Sequence, residues 1–250
     1  MDVGQGTAIV IKNENGLLLY DTGGSSSGFS MANSVLLPFF ESHNIGAIDY
    51  LVLSHLDNDH AGGAAFINKN MNVKHNLSPN NGCNTYEFSK NHLQGRTNLL
   101  GWEWRVLWPL TAVSGDKNDH SCVLKLEKDG HSILFAGDIE KSSEAQILAL
   151  YKDSSILQST ILIAPHHGSR TSSSPEFVNA VMPRFVVFTS GNNNRWGFPA
   201  QEVVARYKSI NASIFISGQQ GRIRIIMKPN DIAVSTFRED EFKRWYFKAR

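Results

Sequence analysis

Short apolar runs separated by polar, glycine-bearing breaks fill most of this chain, the pattern of a protein built from short strands with helices between them. Thr7-Ala8-Ile9-Val10-Ile11 and Leu17-Leu18-Leu19-Tyr20 flank Asn13-Glu14-Asn15-Gly16 and predict a hairpin. Met31 to Phe40 has apolar residues at helical spacing, with Pro38 bending or shortening the helix. Tyr50-Leu51-Val52-Leu53 reads as a buried strand, and Ala64-Ala65-Phe66-Ile67 opens a short helix after Gly62-Gly63. Residues 68–98 are rich in Asn, with turn signals at Ser78-Pro79 and Asn81-Gly82, and predict short strands and loops. Trp102-Glu103-Trp104-Arg105-Val106-Leu107-Trp108 alternates and predicts a strand with one aromatic face.

The second half repeats the theme. Ser121 to Glu127 and Ser132 to Ala136 form a hairpin around Lys128-Asp129-Gly130, and Glu144 to Tyr151 is a helix. Thr160 to Ala164 and Arg184 to Thr189 are buried strands with a helix between them near Glu176 to Val181. Pro199 to Ser209 is a helix with Pro in a tolerated first turn. Ser213 to Ser217, Arg222 to Met227 and Ile232 to Thr236 close the chain as strands. No low-complexity linker interrupts this order, so residues 1–250 read as one domain.

Composition narrows the class. Of 250 residues, 41% are hydrophobic and 19% charged, the balance of an ordinary globular protein. No run approaches the roughly 18 apolar residues of a membrane span, and no signal peptide is visible. The chain enters structural sequence abruptly at Met1-Asp2-Val3-Gly4, as an excised domain does. A net charge of +1 makes no general polyanion trap, so nucleic-acid binding needs a local patch or a metal. Cys83 and Cys122 fit no zinc spacing; they can pair or stay free, and free thiols is the plainer reading.

Chemistry concentrates at three strand ends. Ser54-His55-Leu56-Asp57-Asn58-Asp59-His60-Ala61-Gly62-Gly63 packs four potential ligands, His55, Asp57, Asp59 and His60, into six residues. Open α/β sheets place ligands at the carboxyl ends of strands. Imidazole suits Zn and Mn, and carboxylate suits Mn and Mg. Gly137-Asp138 ends a second strand and Pro165-His166-His167-Gly168-Ser169 a third. Adjacent histidines on an extended backbone point to opposite sides, so one binds metal while the other faces substrate or packs.

Asp2-Val3-Gly4-Gln5-Gly6, Tyr20-Asp21-Thr22-Gly23, the string from Ser54 to Gly63, Phe135-Ala136-Gly137-Asp138 and Pro165 to Ser169 occur in that order. The order resembles the metallo-β-lactamase superfamily, in the variant of the hydrolase-like domain of ComEC-type DNA-uptake channel proteins. The resemblance runs from Asp2 to about Arg224. It implies an α/β fold, an αββα sandwich of two mixed sheets flanked by helices. It also implies one or two divalent ions, Mn or Zn, on His55, Asp57, Asp59, His60, Asp138 and His166 or His167. Here His166 is taken as the ligand, and Asp138 as the bridge if two ions bind. Asp21, and Asp2 in the same sense, would orient ligand histidines. The chain departs from the pattern in three places. Asp57 replaces a usual His, which makes one site more Mn-like. Asn118-Asp119-His120-Ser121 offers only His120 for the usual third His, where the related channel domains typically carry Asn. Phe198 stands where relatives have His before the Pro.

The expected function is metal-dependent hydrolysis of phosphodiester bonds in DNA during uptake for natural transformation. Asp59 would orient or deprotonate the attacking water, and His167 or Arg170 would stabilise developing charge. The implied partners are DNA, as a single strand or a duplex undergoing uptake, and the membrane channel portion of the same polypeptide, with no organic cofactor. The implied location is the extracytoplasmic face of the inner membrane, or the cytoplasm for a stand-alone protein. Two rivals remain. One is a catalytically weak nucleic-acid-binding module, for which Phe242 to Arg250 mixes basic and aromatic residues. The other is a metallo-hydrolase of a small ester, thioester or lactam.

Overall fold

Two sheets lie face to face at the centre of the computed structural model, which describes residues 1–79, 97–110, 118–152 and 154–242. The first sheet begins with the expected hairpin, β1 (Ile9–Asn13) and β2 (Gly16–Tyr20). A small ribbon follows, β3 (Ser25–Ser26) and β4 (Phe29–Ser30). A π-helical turn at Ala32–Leu36 then runs straight into α1 (Leu37–Ser42), with Pro38 at the junction, just after the Leu37 N–H reaches back to the Ala32 carbonyl. Next come β5 (Ala47–Val52), α2 (Asn58–Ala61), α3 (Ala64–Asn70) and β6 (Asn72–Leu77). The sheet order is β1-β2-β5-β6, with β2, β5 and β6 parallel.

The second sheet has seven strands in the order β13-β12-β11-β10-β9-β8-β7. Its antiparallel half is β7 (Thr97–Leu99), β8 (Trp102–Trp108) and β9 (Val123–Lys128), joined by a tight turn to β10 (His131–Phe135). After α4 (Lys141–Leu150), strands β11 (Ile161–Ile163), β12 (Phe185–Phe188) and β13 (Ser213–Ile216) add in parallel, with α5 (Pro175–Val181) and α6 (Gln201–Ser209) as crossovers. A helical turn, α7 (Ser217–Gln220), leads to a separate hairpin of β14 (Ile223–Lys228) and β15 (Asp231–Thr236).

Strand alternation sorts the apolar residues into three layers of core. Leu18 and Tyr20, Ile133 and Phe135, Ile161 and Ile163, and Phe185 and Val187 fill the space between the sheets. Their neighbours Leu17 and Leu19 face Ala32, Leu36, Phe40 and Ile67 on one side. Leu134, Leu162, Val186 and Phe188 face Ile147, Phe177, Val203 and Tyr207 on the other. That is the αββα sandwich, and it explains why these strands read as continuous apolar runs: both faces are buried. Each fully buried Leu, Ile or Phe contributes roughly 1.5–3 kcal/mol.

Two expectations change. The aromatic face of β8 is broken. Trp102 and Trp104 enter the inter-sheet core, but a bulge between Val106 and Trp108 turns Trp108 to the opposite core beside Leu107. Cys122 is disulfide-bonded, which corrects the expectation of free thiols. The other cysteine, Cys83, the turn at Asn81-Gly82 and the basic-aromatic tail from residue 243 onward lie outside the described residues.

Candidate metal centre

Five parallel strands deliver their carboxyl ends to one place. Strand β2 delivers Asp21, β5 delivers Ser54 and His55, β10 delivers Asp138, β11 delivers His166 and His167, and β12 delivers Thr189. Helix α2 begins at the turn after β5 and places Asp59 and His60 on one short coil. Its backbone is pinned from the N-terminal motif, since Thr7 N–H donates to Asp59 C=O at 3.0 Å. Residue 6 must be glycine here, because a Cβ would collide with the Asp59 carbonyl and its φ is +131°. Gly62 is squeezed in the same way against the Asn58 carbonyl. The glycines of both motifs are therefore packing requirements of the site.

Asp59, His60, Asp138 and His167 offer ligand atoms that all lie within 4.8 Å of one another. His60 Nε2 is 3.1 Å from Asp138 Oδ1 and 3.1 Å from His167 Nε2. His167 Nε2 is 3.2 Å from Asp59 Oδ2 and 3.4 Å from Asp138 Oδ2. The rear nitrogens are committed elsewhere. His60 Nδ1 meets Asp21 Oδ2 at 2.8 Å, and His167 Nδ1 meets Thr189 Oγ1 at 3.0 Å, which in turn meets Thr7 Oγ1 at 2.9 Å. Holding Nδ1 in this way aims Nε2 at a metal.

His55 completes the set differently. Ser54 Oγ donates its one proton to Asp21 Oδ2 at 2.8 Å, so it accepts from His55 Nδ1 at 3.0 Å. The His55 Nε2 lone pair is then bare. It is buried, has no hydrogen-bond partner, and sits 3.9 Å from Asp138 and 4.0 Å from Asp57. A buried nitrogen without a partner is costly, and this one lies beside the place where two imidazole nitrogens and two carboxylates already converge. This donor set fits a divalent ion at Asp59, His60, Asp138 and His167, with His55 and Asp57 beside Asp138 for a second.

Charge balance in the metal-free cluster shifts every member. Burial opposes charge on Asp138, yet His167 and His60 outweigh it and hold the carboxyl well below the carboxylate range. Burial also opposes charge on Asp59, and His167 and His60 again win and lower its pKa. For His167 burial is overcome by Asp138 and Asp59, and its pKa is pushed up to about 9. For His60 burial is overcome by Asp138 and Asp21, which raise it well above the imidazole range. His55 moves the other way, lowered by burial and by the charge of His60.

Residues 1–185 match the family model for the Metallo-beta-lactamase superfamily. The chain belongs to this superfamily. It is similar to Recombination protein 2 of Haemophilus influenzae, 32% identical over 98% of this chain and 30% of the relative. It is similar to Competence protein ComA of Neisseria gonorrhoeae, 30% identical over 89% of this chain and 31% of the relative. It also resembles ComE operon protein 3 of Bacillus subtilis, 28% identical over 90% of this chain and 32% of the relative. The chain thus spans about a third of the length of these curated relatives. Among solved structures, a metallo hydrolase from Ignicoccus hospitalis, Igni18, superposes with a TM-score of 0.52 at 16% identity, covering 94% of this chain and 97% of that one. That likeness concerns the fold.

Within this superfamily frame, the sequence-predicted residues separate. The structure gathers Asp59, His60, Asp138 and His167, with His55 and Asp57 alongside. His166 stands outside that group. Its Nε2 is 3.9 Å from Asp138, and its Nδ1 is 3.2 Å from Glu140 and 3.2 Å from Thr171. The two histidines diverge because both are left-handed, at φ 48° and 52°, in a tight turn where extended backbone was expected. Such strain in non-glycine residues gathers at functional sites. Arg170 is 76% exposed and faces Glu202 at 3.8 Å. Asp2 is paired with Arg238 at 2.5 Å. His120 Nε2 is buried without a partner but is not part of the cluster. Phe198 does sit at the site, its ring 5.7 Å from that of His166 and 6.5 Å from that of His167.

Sequence reasoning missed Thr7, Thr189 and Glu140. Thr189 ends an apolar strand just as Asp138 does, but its side chain is uncharged and carried no signal. A cavity of about 910 Å³ against the β14–β15 hairpin is lined by Thr189 but by none of Asp59, His60, Asp138 and His167.

Proposed function

We propose that this chain hydrolyses phosphodiester bonds in DNA with a divalent ion, Mn or Zn, and serves DNA uptake as one domain of a longer, membrane-associated polypeptide. The observation that carries the reading is the convergence of four ligand atoms within 4.8 Å where the strands of both sheets end. The names of the competence relatives support DNA as the substrate. No helix among the described residues is long and apolar enough to cross a membrane, so the membrane portion would lie elsewhere in the polypeptide. The disulfide at Cys122 supports an extracytoplasmic position, because disulfides persist in oxidising compartments.

Asp59, His60, Asp138 and His167 would hold one ion, and His55, Asp57 and Asp138 a second. Bound there, a divalent ion supplies Lewis acidity, polarising a phosphoryl oxygen and making water nucleophilic at neutral pH. Asp21 and Thr189 keep His60 and His167 in the tautomer that presents Nε2. Asp59 accepts a hydrogen bond from the attacking water and orients it. His166 is better placed than His167 to protonate the leaving oxygen. Its Nδ1 is held by Glu140 and its Nε2 faces the Asp138 side of the cluster. On this reading His167 is a ligand, His166 faces the leaving oxygen, and Arg170 takes no part.

The test is cleavage of linear DNA with added Mn or Zn, wild type against Asp59→Ala. A loss of at least about 100-fold is expected for a group that positions water and metal. Equal rates refute the reading. Phe198 favours one alternative, nucleic-acid binding without chemistry, because it places a non-titrating ring beside His166 and His167, where a proton donor would serve hydrolysis. A purified chain that takes up no divalent ion decides for that alternative.

A further inference from the structure

The loop between β12 and α6 builds a stack of flat groups outward from the metal centre. The Phe198 ring lies 6.5 Å from the His167 ring at an interplanar angle of 25°. Trp196 lies 6.4 Å from Phe198 at 18°. The Arg195 guanidinium caps the outer end, 4.3 Å from the Trp196 ring centre. Such spacings are those of offset aromatic stacking and of a cation over a ring. A single exposed tryptophan is ordinary on a protein surface. This one is 51% exposed, yet it continues an ordered series that starts on a ligand histidine.

The platform is preformed. Asn194 Nδ2 donates to Gly191 C=O at 2.9 Å and to Phe198 C=O at 2.6 Å, and Phe198 N–H donates to Asn194 Oδ1 at 2.9 Å. One side chain thus clamps both ends of the segment that carries Arg195 and Trp196. Little entropy remains to be lost when something stacks on it, and such preorganisation favours binding. Apolar contact alone would not call for a guanidinium at the rim. A flat π-face joined to an anion would, because the ring takes the face and Arg195 takes the charge.

We infer that Trp196, Phe198 and Arg195 form a stacking site for an unpaired nucleobase of single-stranded DNA, next to the phosphate presented to the metal centre. It rests on the phosphodiester reading and narrows its substrate. In a duplex each base face is covered by its neighbours, so an aromatic side chain has nothing to stack on except at ends. A single strand exposes every face, and aromatic platforms bind it with little regard to sequence. On this view the Phe198 ring is the inner base contact, between His167 and Trp196.

Binding is measured by fluorescence anisotropy with the metal-loaded protein. The probe is a fluorescein-labelled oligothymidylate of about twelve nucleotides with phosphorothioate linkages, which resist cleavage. A version with abasic residues and a blunt duplex serve as the other arms. Trp196→Ala is expected to weaken the single strand by about 5- to 100-fold, the loss of one base–aromatic stack. Trp196→Phe should restore most of it. Abasic substitution should weaken wild type by a similar factor and barely affect Trp196→Ala. Unchanged affinity of Trp196→Ala for the single strand overturns the inference. So does an equal loss on single strand and duplex, which would mark a folding or charge effect. Because no cleavage is read, absence of nuclease activity with Trp196 dependence intact removes the hydrolase reading and leaves the stacking site standing.

Discussion

Metal affinity should depend steeply on pH, because the ion must displace protons that the empty cluster holds tightly. His167 carries a pKa of about 9 in the metal-free protein, set by Asp138 and Asp59 against burial. A ligand imidazole has to be neutral. At pH 7 that means removing a proton two units below the pKa, a cost of about 2.7 kcal/mol at 1.36 kcal/mol per unit. Affinity should therefore rise by roughly tenfold per pH unit up to about pH 9, or about 100-fold from pH 7. His60 is also raised, so its proton steepens the dependence further. Stability should run in the opposite direction in the metal-free protein. The folded-state pKa of His167 lies above the ordinary value of 6.5, so its pairing with Asp138 contributes fully below 6.5 and fades as pH climbs through about 9. The metal-free Tm should fall across that window while the shift produced by added metal grows. Titration calorimetry in buffers of differing ionisation enthalpy gives both the affinity and the protons released. A dissociation constant flat between pH 6.5 and 9, with no proton release, would falsify the picture of a proton-loaded site.

Asp21→Asn should weaken metal binding by about 10- to 100-fold, because it removes the carboxylate that aims His60 while leaving every ligand in place; calorimetry checks it. Thr189→Val should leave His167 Nδ1 unsatisfied in the interior, costing about 1–3 kcal/mol of stability, read from denaturant unfolding. Thr189→Ser should recover most of that loss, and failure of the serine to do so would assign the threonine to packing alone.

Much of the architecture was legible in the chain because the strands are apolar on both faces and end in polar residues. The runs at Leu17–Tyr20, Thr160–Ala164 and Arg184–Thr189 became β2, β11 and β12 within a residue or so. Strand β6 was not resolved as a definite element, since Asn72 to Leu77 contains Asn, Lys and His at an exposed sheet edge. The bulge at Val106 to Trp108 was invisible, as register is a property of two strands and not of one. For the site, residue types were enough to find His55, Asp57, Asp59, His60, Asp138 and the histidine pair. They could not decide between His166 and His167. That choice depends on two left-handed residues after Pro165, a conformation no periodicity reports. Thr7 was hidden for a related reason: a hydroxyl just ahead of the first strand becomes meaningful only when residue 189 is folded against it.

The ligands are drawn from both halves of the sandwich: Asp59 and His60 follow β5 in one sheet, Asp138 and His167 follow β10 and β11 in the other. An ion seated among them would act as a rivet through two stacked plates, set at their rim. Its loss would register as slack at that rim, while the apolar filling between the plates keeps their centres together.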